Sequence, residues 1–405
     1  MPTYENCDFL IIGAGIVGIS LGIELLNQHS GKKIIIVDKE GQPGVHASGR
    51  NSGVLHAGFY YSPDSLKAKF CKQGNIALKK FCKENNLKIL ETGKVVVCQN
   101  EQDVKRLQIL YERGIANEVE IELLQSKELQ RIEPAALTFE KFIWSPTTAV
   151  GNPNGVIKKL ADKFQKLGGI FYFNSKVKLR SKGNEVTVLV DKDIVFTSNA
   201  VINSAGAYAS ELAKQVGVGK EYICLPFLGD HKKSYLTNKS PKRLIYPVPN
   251  PVNPFLGVHT TNTLYNEIKI GPTAFPVIGK EQYRVTDGFR LNELFEFILA
   301  SKTLLKSDSV DLVSLAKEEG IKLFKKPLIN RASKLTNSLS NNSSWKNHPS
   351  GIRAQIINTK SNSIEMDYIV KSDKNVVHIL NAVSPGWTSS IPFARWIVEN
   401  QPILN

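Results

Sequence analysis

The opening stretch Asp8–Glu40, DFLIIGAGIVGISLGIELLNQHSGKKIIIVDKE, constrains this chain more than any other. Phe9 to Ile12 is an apolar run that leads directly into Gly13, Gly15 and Gly18. An apolar helical segment follows, then a second β-rich run, Ile34 to Val37, ending on Asp38. The order is strand, tight turn, helix, strand. Gly13 permits the sharp turn, Gly15 lets backbone N–H groups approach a pyrophosphate, and Gly18 lets helix and strand pack closely. The helix N-terminus adds unpaired N–H groups and a positive dipole end for phosphate. Asp38 follows Gly18 by 20 residues, the spacing at which a carboxylate reaches an adenosine ribose. The pattern predicts a dinucleotide-binding βαβ unit.

At 405 residues the chain is long for one core, so two or three domains are expected. Hydrophobic residues make up 42% and charged residues 22%, a globular composition that excludes a disordered or fibrous class. The net charge of +15 raises the question of nucleic acid. However, the Lys and Arg residues are scattered, and short runs such as Lys232–Lys233 and Lys325–Lys326 lack interleaved aromatics for base stacking. The charge therefore reads as a solvated surface, weakly attractive to an acidic substrate or an anionic membrane, and no nucleic-acid partner is expected. Cys7, Cys71, Cys82, Cys98 and Cys224 contain no C-x-x-C pair, which fits free thiols in a reducing compartment and no metal site. A strand starting by Asp8 leaves no room for a signal or transit peptide, so the expected location is cytoplasmic. Phe9–Leu26 contains four glycines and Glu24, and reads better as the fingerprint than as a membrane span.

Along the chain, Gly44–Tyr61 is rich in small and hydrogen-bonding residues, suited to close backbone contact with a flat ligand. Helices are expected over Leu66–Asn85, Glu101–Arg113, Ser126–Glu133 and Gly155–Leu167, with a strand in Leu90–Cys98. Strands are expected over Ile170–Val177 and Glu185–Val190, joined through Gly183–Asn184. Another, Ala200–Asn203, ends in Ser-Ala-Gly-Ala before a helix, which repeats the physics of the opening turn. From Leu225 proline-rich strands suggest an antiparallel sheet, followed by helical spacing over Phe289–Leu305 and Val310–Phe324 and a polar stretch over Asn337–Pro349. A strand, Val376–Leu380, a loop, Asn381–Pro392, and a last helix close the chain. The fold class is thus α/β: a discontinuous Rossmann-like domain plus an α+β substrate domain built on an antiparallel sheet. Residues 1–85, 146–220 and 345–405 are expected in the first, 86–145 and 221–344 in the second.

The segments GAGIVG, NSGVLHAGFYYSPDSLKAKFC, LIYPVPNPVNPFLGVH, GIRAQ and SP-x-x-TSS together resemble the D-amino-acid-oxidase-like flavoproteins, and within them the L-2-hydroxyglutarate oxidase/dehydrogenase family. The resemblance implies a glutathione-reductase-type FAD domain and oxidation of a 2-hydroxy acid. It implies that Gly13, Gly15 and Gly18 hold the FAD pyrophosphate and that Asp38, with Lys39, meets the ribose. Ser48, Arg50, Asn51, Ser52 and Gly53 would lie along the flavin and pyrophosphate, Val177 beside the adenine, and Ala205 and Gly206 behind the diphosphate. Ser384, Pro385, Gly386, Trp387, Thr388 and Ser389 would form the loop over the flavin's pyrimidine edge. No His stands at Arg50–Asn51, so the FAD is expected to be non-covalent. The chain departs from the family at Leu228, where an arginine is expected, and at Gly386–Trp387, where two small residues are; both departures put the acid substrate in question.

Such an oxidation needs a base for the hydroxyl proton and a cation for the carboxylate. His56 and His259 are the candidates for base and hydrogen-bond donor, in either order, and Arg353 is the clamp, its fork matching a carboxylate. Tyr60, Tyr61, Tyr246 and Gln355 are further substrate-binding candidates. His46, His231, His348 and His378 read as solvent or loop residues. The partners expected are a small acidic substrate and an electron acceptor, either oxygen or a membrane quinone, with peripheral attachment to the cytoplasmic face of an inner membrane as an option. Leu228 and Trp387 leave an amine or amino-acid oxidase of the same fold as an alternative. A non-enzymatic FAD-binding interaction protein is the second alternative.

Overall fold

The computed structural model describes residues 3–183, 185–191, 194–250, 255–307, 311–339 and 344–405. Asn184, Val310 and the 251–254 part of the proline-rich run lie outside them. The opening folds as expected: β1 (Thr3–Ile12), α1 (Ile16–Gln28) and β2 (Ile34–Val37). Ile34 to Val37 is fully shielded from water, which matches an uninterrupted apolar strand in a sheet covered on both faces.

Five strands form the parallel core of the first sheet, in the order 376–379, 194–203, β1, β2, 170–172. Its antiparallel additions are 370–373 beside 376–379, and the hairpin 177–182/185–190 on 194–203. The register aligns Ile12 with Val37 and with Asn203, and Asn203 with His378. Gly13, Asp38, Ser204 and the turn after Ile379 therefore emerge at one carboxyl edge, where ligands of open α/β sheets bind. α1, the helix Pro153–Lys166 and the C-terminal helix Gly386–Asn400 pack on one face around Ile19, Leu21, Phe164 and Phe393.

The second sheet runs 363–364, 346–358, 222–235, 267–271, 259–262, 244–247, 94–97, 141–145, 122–125, with 275–276 also on 222–235. It is antiparallel except where 244–247 lies parallel to 94–97. Strand 346–358 pairs along 222–235, so 346–364 belongs to the second sheet where the sequence reading placed 345–405 with the first. Alternation in this stretch is too weak to show which sheet it joins.

Other boundaries shift for local reasons. The helix expected from Gly155 starts at Pro153, because Asn152 caps it through a bond to the Gly155 N–H and proline suits the first helical turn. The strand expected over Ile170–Val177 stops at Tyr172, and Asn174, at φ 55°, starts a turn into 177–182. Lys325–Ala332 forms a helix that the sequence reading left out. Among the described residues, no helix is long and apolar enough to cross a membrane.

Candidate active site

A cavity of about 1020 Å³ lies between the carboxyl edge of the first sheet and one face of the second. Gly13, at φ +105°, makes the turn out of β1; a Cβ there would sit 2.6 Å from the Ser204 carbonyl oxygen. Gly18 does not line the cavity. It lets α1 close on the turn, since its Cβ would lie 2.0 Å from the Gly13 carbonyl oxygen. Ser48 accepts from the Ile16 N–H at 3.0 Å, anchoring the Gly44–Tyr61 segment to the α1 N-terminus. The Asp38 carboxylate accepts from the Ala14 N–H at 2.6 Å and the Glu40 N–H at 2.8 Å, so it is fixed at the end of β2. Gly15, Ser52, Val177, Ala205 and Gly206 also line the cavity.

The residues assigned from the resemblance divide. Lys39 is taken up by ion pairs with Glu40 and, at 2.6 Å, Glu281. Arg50 donates to the Val45 and Ser350 carbonyls and lies 4.0 Å over the Tyr283 ring. Asn51 spends its amide on the Ala47 and Ser48 carbonyls and accepts from the Gly53 N–H. Gly53 is not a lining residue: at φ +76° it packs on the Gly151 carbonyl. The expected loop Ser384–Ser389 is a loop only through Pro385, because the helix begins at Gly386. Gly386, Trp387 and Thr388 face the cavity from its first turn, whereas Ser389 is buried behind them. Trp387 lies against Gly151, and its indole N–H has no partner among the described residues.

On the substrate side the cavity is lined by His56, Tyr60, Tyr61, Tyr246, His259, Arg353 and Gln355, so the structure gathers every substrate and catalytic candidate in one space. His259 donates from Nδ1 to the Gly257 carbonyl at 2.8 Å, since a carbonyl can only accept, and this leaves Nε2 with a lone pair that takes no hydrogen bond among the described residues. Its ring stacks on Tyr246, with centroids 3.7 Å apart. Burial, and then Arg353, His56 and Lys94 nearby, pull its pKa down to about 3. His56 is likewise depressed to about 3 by burial, then by Lys94 and Arg353. Both rings are therefore neutral in the free protein. Arg353 donates one N–H to the Thr273 carbonyl at 3.0 Å and lies 5.5 Å over the Phe255 ring. Gln355 commits its amide N–H to the Glu365 carbonyl at 2.6 Å.

Several expectations are corrected. Leu228 pairs with Ile352 and packs against Val277, while its neighbour Phe227 pairs with Arg353. Successive residues of a strand face opposite sides. Leucine at that position therefore removes no cation from the face that carries Arg353. His378 is fully buried in strand 376–379 and meets Asn203 at 3.0 Å. His231 lines the cavity, and His348 lies edge-on to it at 5.9 Å. His46 bridges Glu40 and Tyr283. His231, His348 and His378 thus lie on strands rather than in loops, whereas His46 sits in a turn, as expected, and is part-buried there by its bonds to Glu40 and Tyr283. His46, Glu40 and Glu281 have the spacing of a metal site, but the Lys39 ammonium already pairs with both carboxylates.

The sequence reading missed Lys67, Arg106 and Arg113, all of which line the cavity. Arg106 and Arg113 lie seven residues apart on α3 (Glu101–Ala116), two turns along one face, and that spacing was the only available signal.

The residues present fit a dinucleotide: a glycine turn with no room for a Cβ, a fixed carboxylate, an open cradle at Gly206 and unpartnered polar atoms on Trp387 and His56. A family model described as FAD dependent oxidoreductase (DAO) matches residues 8–400. The chain belongs to the DAO family of FAD-dependent oxidoreductases. Among curated relatives of this flavoprotein, L-2-hydroxyglutarate dehydrogenase of Escherichia coli K12 is 34% identical across 98% of this chain and 93% of that one. The mitochondrial L-2-hydroxyglutarate dehydrogenase of Homo sapiens is 30% identical across 98% and 88%. Among solved structures, FAD-bound L-alpha-glycerophosphate oxidase of Mycoplasma pneumoniae aligns with a TM-score of 0.75 over 99% and 95% of the two chains, at 22% identity. Glycine oxidase of Geobacillus kaustophilus gives 0.72 over 98% and 94%, at 16% identity, so these two likenesses show the fold.

Proposed function

We propose that this flavoprotein oxidises L-2-hydroxyglutarate to 2-oxoglutarate. The observation that carries the reading is a charge imbalance. The acids lining the cavity, Asp38, Glu40, Glu211 and Glu281, all lie on the nucleotide side. The part walled by α2 (Leu66–Glu84), α3 and the second sheet holds Lys67, Arg106, Arg113 and Arg353 and, among the described residues, no carboxylate. Such a wall suits a dicarboxylate and provides no carboxylate to pair with the ammonium of an amino acid. The names of the curated relatives point the same way.

In this reading Gly13, Gly15 and the α1 N-terminus hold the FAD pyrophosphate, Asp38 the ribose, and Ser48, Ser52, Gly206 and the Gly386–Thr388 turn the remainder. FAD, when bound, supplies the hydride acceptor. Arg353 grips a substrate carboxylate with the N–H groups it has not given to Thr273. The Nε2 lone pair of His259 takes the hydroxyl proton, and His56 holds the substrate by a hydrogen bond. A base with a pKa near 3 is weak, but a dianionic substrate beside it raises that value by favouring the imidazolium. Tyr60 and Tyr246 line the cavity with their buried rings and keep water out.

Anaerobic mixing with L-2-hydroxyglutarate should bleach the flavin absorbance. Flavin left oxidised at millimolar substrate rejects the reading, and ammonia release in an amino-acid panel replaces it with the amino-acid oxidase. We include non-covalent FAD in the proposal; colour kept on protein precipitated by acid would refute it. Oxygen or a membrane quinone accepts the electrons, and comparison of oxygen uptake with quinone reduction decides which. Attachment of the basic surface to an anionic membrane face is tested by sedimentation with anionic vesicles.

A further inference from the structure

Lys94 opens the short strand Lys94–Val97 in the second sheet and has no exposed surface at all. An ammonium without water normally needs a carboxylate or a set of carbonyls. Lys94 has neither: among the described residues its Nζ makes no hydrogen bond. Instead it lies 4.5 Å from the Phe59 ring centre, 4.4 Å from Tyr60 and 4.8 Å from Tyr246. Three ring faces bracket one cation, and ring quadrupoles attract a desolvated cation more strongly than a hydrated one. Two of these rings, Tyr60 and Tyr246, are also cavity wall, and Tyr246 is the ring on which His259 stacks. Lys94 itself does not line the cavity.

We propose that Lys94 is a positioning residue for the oxidation, a charge caged one layer behind the tyrosine wall that sets the stacked Tyr246–His259 pair and adds to the electrostatic field at His56 and His259. This rests on the reading of those histidines given above. The groups that answer to Lys94 are His56, His259, the two tyrosines and, from α2, Cys71; Arg353 acts on both histidines in the same direction. Cys71 is a neutral thiol, pushed up to about 12 by burial, and so cannot cancel the charge. Burial pulls Lys94 down to about 7. It is therefore cationic over the range where the histidines would take up protons, and its field adds to the burial, the larger cause, that opposes that uptake. Above pH 7 it becomes neutral, and an anionic substrate loses part of its attraction to this wall.

The test uses the FAD-loaded full chain with Lys94→Met, which keeps the length and removes the charge, and Lys94→Arg, which keeps the charge. Ring titration of His56 and His259 by NMR of histidine-labelled protein, assigned with His56→Asn and His259→Asn, should move up by about one pH unit in the Met variant and stay put in the Arg variant. The acid limb of the flavin-reduction rate should move with it, and the dissociation constant of glutarate, a non-reacting dianion, should rise about tenfold at pH 6. A Met variant with wild-type FAD content whose histidines titrate as in the parent overturns the proposal. If the Met chain does not take up FAD, Lys94→Gln is read by the same criteria. Wild-type protein that fails to reduce with L-2-hydroxyglutarate rejects the substrate reading alone, because the NMR titration needs no turnover.

Discussion

The two walls of the cavity are built by opposite means. The nucleotide wall is backbone: glycine turns, a helix N-terminus and a carboxylate pinned by two N–H groups, with its charged side chains paired off as Lys39 with Glu40 and Glu281. The substrate wall is side chain: three neutral histidines, three tyrosines, four cations and no acid among the described residues. A backbone site recognises phosphate and ribose by shape and tolerates no added atom. A side-chain site recognises charge and can be retuned one residue at a time.

The largest expected break in this contrast comes from Gly13→Ala. The new methyl meets the Ser204 carbonyl oxygen at 2.6 Å in a backbone at φ +105°. The strained backbone alone costs about 1–3 kcal/mol. Purified protein should contain no flavin absorbance and should melt early, whereas a yellow variant would mean the turn can yield. Next, His259→Asn should lower kcat by about 10²–10⁴-fold while FAD content stays unchanged, as removal of a proton acceptor does. Arg353→Met should cost about a thousandfold in kcat/KM, near the upper range for truncating one member of a buried charge pair. The same change should barely alter FAD content, which separates the two walls.

A smaller effect is set by pH. His56 and His259 have folded pKa values near 3, below the ordinary histidine value of about 6.5, so the unfolded chain binds more protons below that value. Stability is thus full above about pH 6.5 and declines as pH falls toward 3, by about 2 kcal/mol per histidine at pH 5. Urea unfolding at pH 7 and 5 measures this, and His56→Asn should shrink the difference. Least of all, Leu228→Met should change stability by less than about 1.5 kcal/mol and leave kcat/KM unchanged. A large kinetic effect there would place Leu228 in the cavity after all.

The nucleotide wall was legible because it is local. Gly13, Gly15, Gly18 and Asp38 sit within one βαβ unit, where spacing along the chain is spacing in space. Long motifs also flagged His56, His259 and Arg353. Sequence could not tell that Leu228 faces away from Arg353's side, since that depends on the register of strand 222–235 against 346–358. Nor could it place Arg106 and Arg113, whose helix reads as an ordinary charged surface until it is set against the cavity. His378 falls within the strand expected over Val376–Leu380 and yet reads as a solvent or loop residue, because only the pairing of that strand with 194–203 buries its side chain.

By itself, then, the sequence determined the dinucleotide turn and pointed to the histidine, arginine and tyrosine candidates of the cavity, because each lies in a short local motif. Tertiary structure alone decided the sign of the substrate wall and the cage around Lys94. Those features bring together side chains from positions 59 to 353, and burial, rather than residue type, sets their protonation.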